Sequence, residues 1–132
     1  MFSRQRHDRK ERNVAVTDIT AETLRSFVED NEIVLIDFWA SWCGPCRYFA
    51  PIFENAAALN PDVGFGKVDT EAQAELAHQF GIMSIPTLIA FRDGIIVYAQ
   101  PGALPQEALD DLLDQIRALD MEEVHKKVKA AS

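Results

Sequence analysis

The sequence predicts an α/β fold with a central mixed sheet and helices on both faces, in the order β-α-β-α-β-α-β-β-α. Three observations carry that expectation. Ile33 to Ala40 is too evenly apolar for a half-exposed strand and reads as a central strand buried on both faces. Helix-like and strand-like stretches alternate along most of the chain. Near the end, Arg92-Asp93-Gly94 separates two β-prone runs, and Asp-Gly is a strong hairpin signal.

Each element has its own justification. Val14-Ala15-Val16 opens a short strand. Thr20 can cap a helix over 21–30, with Leu24, Phe27 and Val28 at helical spacing. After the 33–40 strand a second helix runs from Cys43 to about Leu59, and Pro51 inside it removes one backbone donor and predicts a kink. Val63 to Asp69 is the next strand, and Glu71 to Phe80 a helix ending at Gly81. Thr87 to Phe91 and Ile95 to Ala99 form the hairpin, and Pro101-Gly102 breaks the chain. A last helix starts near Pro105 and carries Leu109, Leu112, Leu113 and Ile116 on one face. The pairs Glu122 with Lys126 and Glu123 with Lys127 predict that it continues further.

At 132 residues, 48% hydrophobic and 26% charged, the chain is a single domain with a core of its own. Residues 1–12 form a basic, flexible arm, with Arg4, Arg6, Arg9, Lys10 and Arg12 against Asp8 and Glu11; 13–119 form the domain, and 120–132 a charged, helical extension. The net charge of −8 opposes general affinity for nucleic acid or anionic membranes. No apolar stretch follows the arginines to make a secretory signal, and none approaches the roughly 18 residues of a spanning helix. With two cysteines, the composition points to a reducing compartment, the cytoplasm, rather than a secreted disulfide scaffold.

Both cysteines lie in Trp42-Cys43-Gly44-Pro45-Cys46, at a strand-to-helix turn. Together with Asp37-Phe38-Trp39-Ala40, Ala50-Pro51, Lys67-Val68-Asp69, Ile85-Pro86-Thr87, Asp93-Gly94 and Gly102-Ala103, this motif makes the chain from about Val14 to Leu119 resemble the thioredoxin family. The resemblance implies a thioredoxin fold and a redox-active disulfide between Cys43 and Cys46. It also implies a protein-disulfide reductase that binds no cofactor and takes electrons from NADPH through a separate flavoprotein, thioredoxin reductase. Disulfide-containing client proteins are the other implied partners, and a monomer is expected.

The chemistry fits the placement. Disulfide exchange needs a thiolate, and a helix start stabilises an anion through unpaired N–H groups and the helix dipole. Thioredoxins are themselves a familiar case of the resulting low thiol pKa. Cys43 is therefore expected to be reachable and to attack. Cys46, three residues on and on the same face, is expected to be shielded and to resolve the mixed disulfide. A zinc site is the competing use of paired thiols, but there is no second pair, and His7, His78 and His125 lack ligand spacing to it.

Asp37 is a carboxylate in an apolar strand, so desolvation should raise its pKa. The resemblance makes it the proton acceptor for Cys46, directly or through a water, with Lys67 modulating it; a backbone-bonded aspartate and an exposed strand-end lysine are the plainer alternatives. Gly44 and Pro45 set the redox poise, Pro45 by stiffening the turn. Unaided, the sequence favours a trans Ile85–Pro86 bond, and the resemblance reverses that to cis, exposing the Ile85 backbone for an extended client to pair with. Trp42 is expected to be exposed at the site and Trp39 packed beneath it. Ile85, Pro86, Gly102 and Ala103 would complete an apolar client-binding patch, although Gly102 serves equally as a turn glycine. Tyr48 is bulkier than the family norm beside the site. Two other functions share these features: an oxidising or isomerising relative, and a thioredoxin-like binding or regulatory subunit with incidental redox activity.

Overall fold

The computed structural model describes residues 15–131, so the basic arm and Val14 lie outside the described residues. Ten elements follow in order: β1 (Val16–Asp18), α1 (Leu24–Glu29), β2 (Ile33–Trp39), α2 (Gly44–Leu59), β3 (Val63–Asp69), α3 (Ala74–Gln79), β4 (Thr87–Arg92), β5 (Ile95–Pro101), α4 (Gln106–Arg117) and α5 (Met121–Ala131). The strands form one sheet in the order β1-β3-β2-β4-β5. β1, β3 and β2 are mutually parallel, whereas β4 and β5 join antiparallel.

β2 takes the central place its apolar sequence predicts, and its pleat divides its residues between two cores. Ile33 and Leu35 face a layer built with Phe49, Phe53, Phe65, Leu88, Leu109 and Leu113, beneath α2 and α4. Val34, Ile36 and Phe38 face the opposite layer, with Val68, Leu76, Ile89 and Phe91, beneath α1 and α3. Asp37 and Trp39 continue the Ile33–Leu35 parity, so they point to the α2 side. β3 has glycine at 64 and 66 on the other face for a steric reason. A Cβ on Gly66 would lie 2.6 Å from Ile19 Cγ1 and 3.0 Å from Ile36 Cδ1.

Some boundaries differ from expectation, and each difference has a local cause. α1 begins at Leu24 rather than Ala21, because Thr20–Thr23 is a turn in which Thr23 Oγ1 accepts the Thr20 N–H at 2.9 Å. α3 starts at Ala74 rather than Glu71 because the Asp69 side chain accepts the N–H groups of Glu71 (2.9 Å) and Ala72 (3.2 Å), holding a turn ahead of the helix. Asp93 and Gly94 both have positive φ, 53° and 80°, as a two-residue hairpin between right-twisted strands requires.

The last helix does not continue as one rod. α4 stops at Arg117, and Asp120 Oδ1 accepts the N–H groups of Glu122 (3.1 Å) and Glu123 (3.3 Å), capping the new helix α5. On α5, Lys126 Nζ lies 3.6 Å from Glu123 Oε1, an i, i+3 pair, where the sequence predicted i, i+4 pairs.

Candidate active site

The site is built where β2 hands over to α2. Cys43 keeps an extended backbone, φ −91° and ψ 116°, and is the N-cap of α2; Gly44 and Pro45 form its first turn. At this position a serine or aspartate would accept an N–H from the first turn, and here sulfur does so. The Cys46 N–H donates to Cys43 Sγ at 3.2 Å. Cys43 and Cys46 are joined as a disulfide, with Cα atoms 5.2 Å apart. The helix thus offers a donor to the sulfur that the sequence singles out as nucleophile, and that donation strengthens when the sulfur becomes an anion.

Burial does not separate the two cysteines as expected. Cys43 is 4% exposed and Cys46 3%, both enclosed with Ala40 and backed by Trp39 and Ile85. They differ in the direction they face. Cys43 Sγ lies 3.8 Å from the Ile85 carbonyl oxygen, on the side of the Ile85–Pro86 loop. A disulfide sulfur has no proton to give, so this contact becomes a hydrogen bond only in the dithiol. Cys46 instead lines a cavity of about 270 Å³ under α2, shared with Asp37, Trp39, Arg47, Glu54 and Lys67.

Asp37 is 4% exposed, and its Oδ1 has no hydrogen-bond partner among the described residues, so no backbone donor of theirs holds that oxygen. Burial raises its pKa from 3.8 to about 7, against the opposing pull of the Lys67 cation. Lys67 is not a bare strand-end lysine either. It is half-buried, its Nζ lies 3.8 Å from Asp18 Oδ1, and it stands 5.5 Å from the centre of the Trp39 ring.

The Ile85–Pro86 bond is cis. Pro86 is buried, and its carbonyl accepts the Gly102 N–H at 2.8 Å, which ties the Gly102 loop to the cysteine side of the sheet. Gly102 is exposed with φ 108°, a conformation that favours glycine, so the turn role applies here. Ala103 is half-buried against the α2–α4 core. Trp42 is 64% exposed, and its Nε1 donates to Glu71 Oε2 at 2.9 Å, while Trp39 sits underneath. Beside Trp42 runs an open groove walled by His78, Ile82, Met83 and Ile85.

Glu71, Met83 and Asp18 are neighbours of the site that sequence reasoning missed. Nothing local in the sequence marks them, since each arrives through tertiary contact. Tyr48 is exposed on α2. Among the described residues no group of three or more His, Cys, Asp or Glu side chains could hold a metal ion, and no helix is long and apolar enough to cross a membrane.

The chain is similar to known proteins in sequence and fold. The family model described as Thioredoxin matches residues 15–115. The chain is 59% identical over 114 residues to "Putative thioredoxin 2" of Streptomyces coelicolor, covering 86% of this chain and 85% of that one. It is 44% identical over 102 residues to "Thioredoxin 1" of Synechococcus elongatus, covering 76% and 94% respectively. A mutant thioredoxin from Halobacterium salinarum NRC-1 superposes with a TM-score of 0.74 at 34% identity, over 79% of this chain and 92% of its own. A five-stranded mixed sheet, a disulfide capping a helix at the end of its central strand, and these matches agree: the chain belongs to the thioredoxin family of dithiol–disulfide oxidoreductases.

Proposed function

We propose that the protein reduces disulfides in client proteins, with Cys43 attacking and Cys46 resolving. The observation that carries this reading is the Cys46 N–H aimed at Cys43 Sγ from the first turn of α2. In the reduced form the Cys43 thiolate attacks one sulfur of a client disulfide. A Cys43–client disulfide forms and the other client sulfur leaves as a thiolate. Cys46 passes its proton to Asp37, directly or through a water, and its sulfur attacks Cys43 Sγ. The second client sulfur then leaves, and the chain ends as the Cys43–Cys46 disulfide, having given two electrons. A carboxyl with a pKa of about 7 suits that proton transfer near neutral pH.

Lys67 tunes Asp37, and Gly44 and Pro45 set the poise of the pair without adding charge. Trp42, Ile85, Gly102 and Ala103 form the surface that receives the client, over the buried cis Pro86, with the Ile85 backbone available for strand-like pairing. The protein binds no cofactor of its own. It works as a monomer in the cytoplasm and is returned to the dithiol by a thioredoxin reductase that carries electrons from NADPH.

Insulin reduction coupled to NADPH oxidation with a bacterial thioredoxin reductase tests this. Turnover well above the dithiothreitol-only rate is expected, together with accumulation of client disulfides on Cys43 in the Cys46→Ser variant. Absence of turnover, or trapping through position 46 in a Cys43→Ser variant, would overturn the assignment.

A further inference from the structure

On the α2-facing side of the sheet, residues of β1, β3 and β2 line up in lateral rows. Val16, Phe65 and Leu35 are register partners in one row, and all three meet the core beneath α2. Two residues further on, where side chains return to the same face, Asp18 pairs with Lys67 and Lys67 pairs with Asp37. One lysine therefore stands between two carboxylates of opposite character. Asp37 is sealed under α2, whereas the Asp18 side chain is 83% exposed. Lys67 reaches the outer one, with Nζ 3.8 Å from Asp18 Oδ1.

We propose that Asp18 is a positioning residue for the resolving step, because by sharing the Lys67 ammonium it holds that cation back from Asp37 and so sets the pH at which Asp37 takes a proton. The inference rests on the reading of Asp37 as proton acceptor for Cys46. Two further charged side chains share the cavity with Asp37. From α2, Cys46, Arg47 and Glu54 line the same cavity, with Arg47 Nη1 donating to the Ser41 carbonyl at 3.0 Å. From β4 the register partner of Asp37 is Leu88. On the same face, the neighbouring strand β3 presents Lys67 beside Asp37 and Asp69 beside Trp39, and β1 beyond it presents Asp18 beside Lys67.

Removing the Asp18 charge acts in one direction through two routes. The lysine is freed to lean towards Asp37, and a negative charge about 10 Å away, two strand spacings, disappears. Both favour ionised Asp37 and lower its midpoint. Coulomb's law across that distance, at an effective dielectric of several tens, gives a fall of about half a pH unit.

The test follows the Asp37 carboxyl carbon by NMR across pH in the oxidised full-length chain, in wild type, Asp18→Asn and Lys67→Gln. Asp18→Asn should lower the midpoint by about half a unit, and Lys67→Gln should raise it. In roughly 0.5 M salt the gap between wild type and Asp18→Asn should narrow, since Asp18 is exposed and screened. An Asp18→Asn midpoint within about 0.1 unit of wild type, or above it, would overturn the proposal. Client reduction by Asp37→Asn separates the two ideas. Normal turnover there would remove Asp37 as the proton acceptor while leaving the Asp18 effect on its titration to stand or fall by NMR.

Discussion

Asp37→Asn keeps the shape of a buried side chain and deletes its ionisation, so its stability as a function of pH isolates what burying that carboxyl does. In the folded chain Asp37 titrates near 7 rather than 3.8, because burial penalises its anion more than the Lys67 cation stabilises it. Between those two values the folded state holds a proton that the unfolded state has released. Stability therefore falls as pH rises from about 4 and stops falling once the folded carboxyl is ionised, above about 7. Roughly three pH units of difference correspond to about 4 kcal/mol. Asparagine does not titrate, so the variant lacks this pH dependence. Urea unfolding of the oxidised protein and the variant from pH 4 to 8.5 should show curves that are close at the acid end. At the alkaline end the variant should be more stable by about 4 kcal/mol. A gap that stays constant with pH, or that widens towards acid, would mean that Asp37 is not held protonated by burial.

Other substitutions probe the frame around the site. Gly66→Ala places a Cβ 2.6 Å from Ile19 Cγ1 and should destabilise by roughly 1–3 kcal/mol through overpacking, seen as a lower urea midpoint at unchanged slope. Arg92→Met removes the Nη1 donor to the Ile116 carbonyl at 2.7 Å and the ion pair with Glu32 at 3.3 Å, leaving the end of α4 short of a partner. It should cost about 1–3 kcal/mol and speed amide exchange in the last turn of α4.

Much of the fold was legible because its strongest signals are local. The 33–40 run needed burial on both sides, Asp93-Gly94 needed a tight hairpin, and Leu109, Leu113 and Ile116 needed one helix face. Where the sequence misled, a side chain competed with the helix for backbone N–H groups. Thr23 and Asp69 delay α1 and α3, and Asp120 starts a new helix where charge pairing suggested a continuous one.

The site divides in the same way. Cys43 and Cys46 are three residues apart and carry their geometry with them, and Asp37 announces itself as an acid in an apolar strand. Asp18 depends on the register of three strands, and Glu71 reaches Trp42 across 29 residues of chain. Neither could be read from any short window. The near-equal burial of the two cysteines was equally hidden, since Ile85 arrives from another part of the chain to cover Cys43.

The proposed reduction requires the start of α2 to hold the Cys43 sulfur as an anion near neutral pH. Alkylation of the reduced protein by iodoacetamide across pH, with the adduct located by mass spectrometry, tests it most directly. Modification is expected at Cys43, with a midpoint well below the value of about 8.5 for free cysteine. A midpoint at that ordinary value, or an adduct mainly on Cys46, would contradict it.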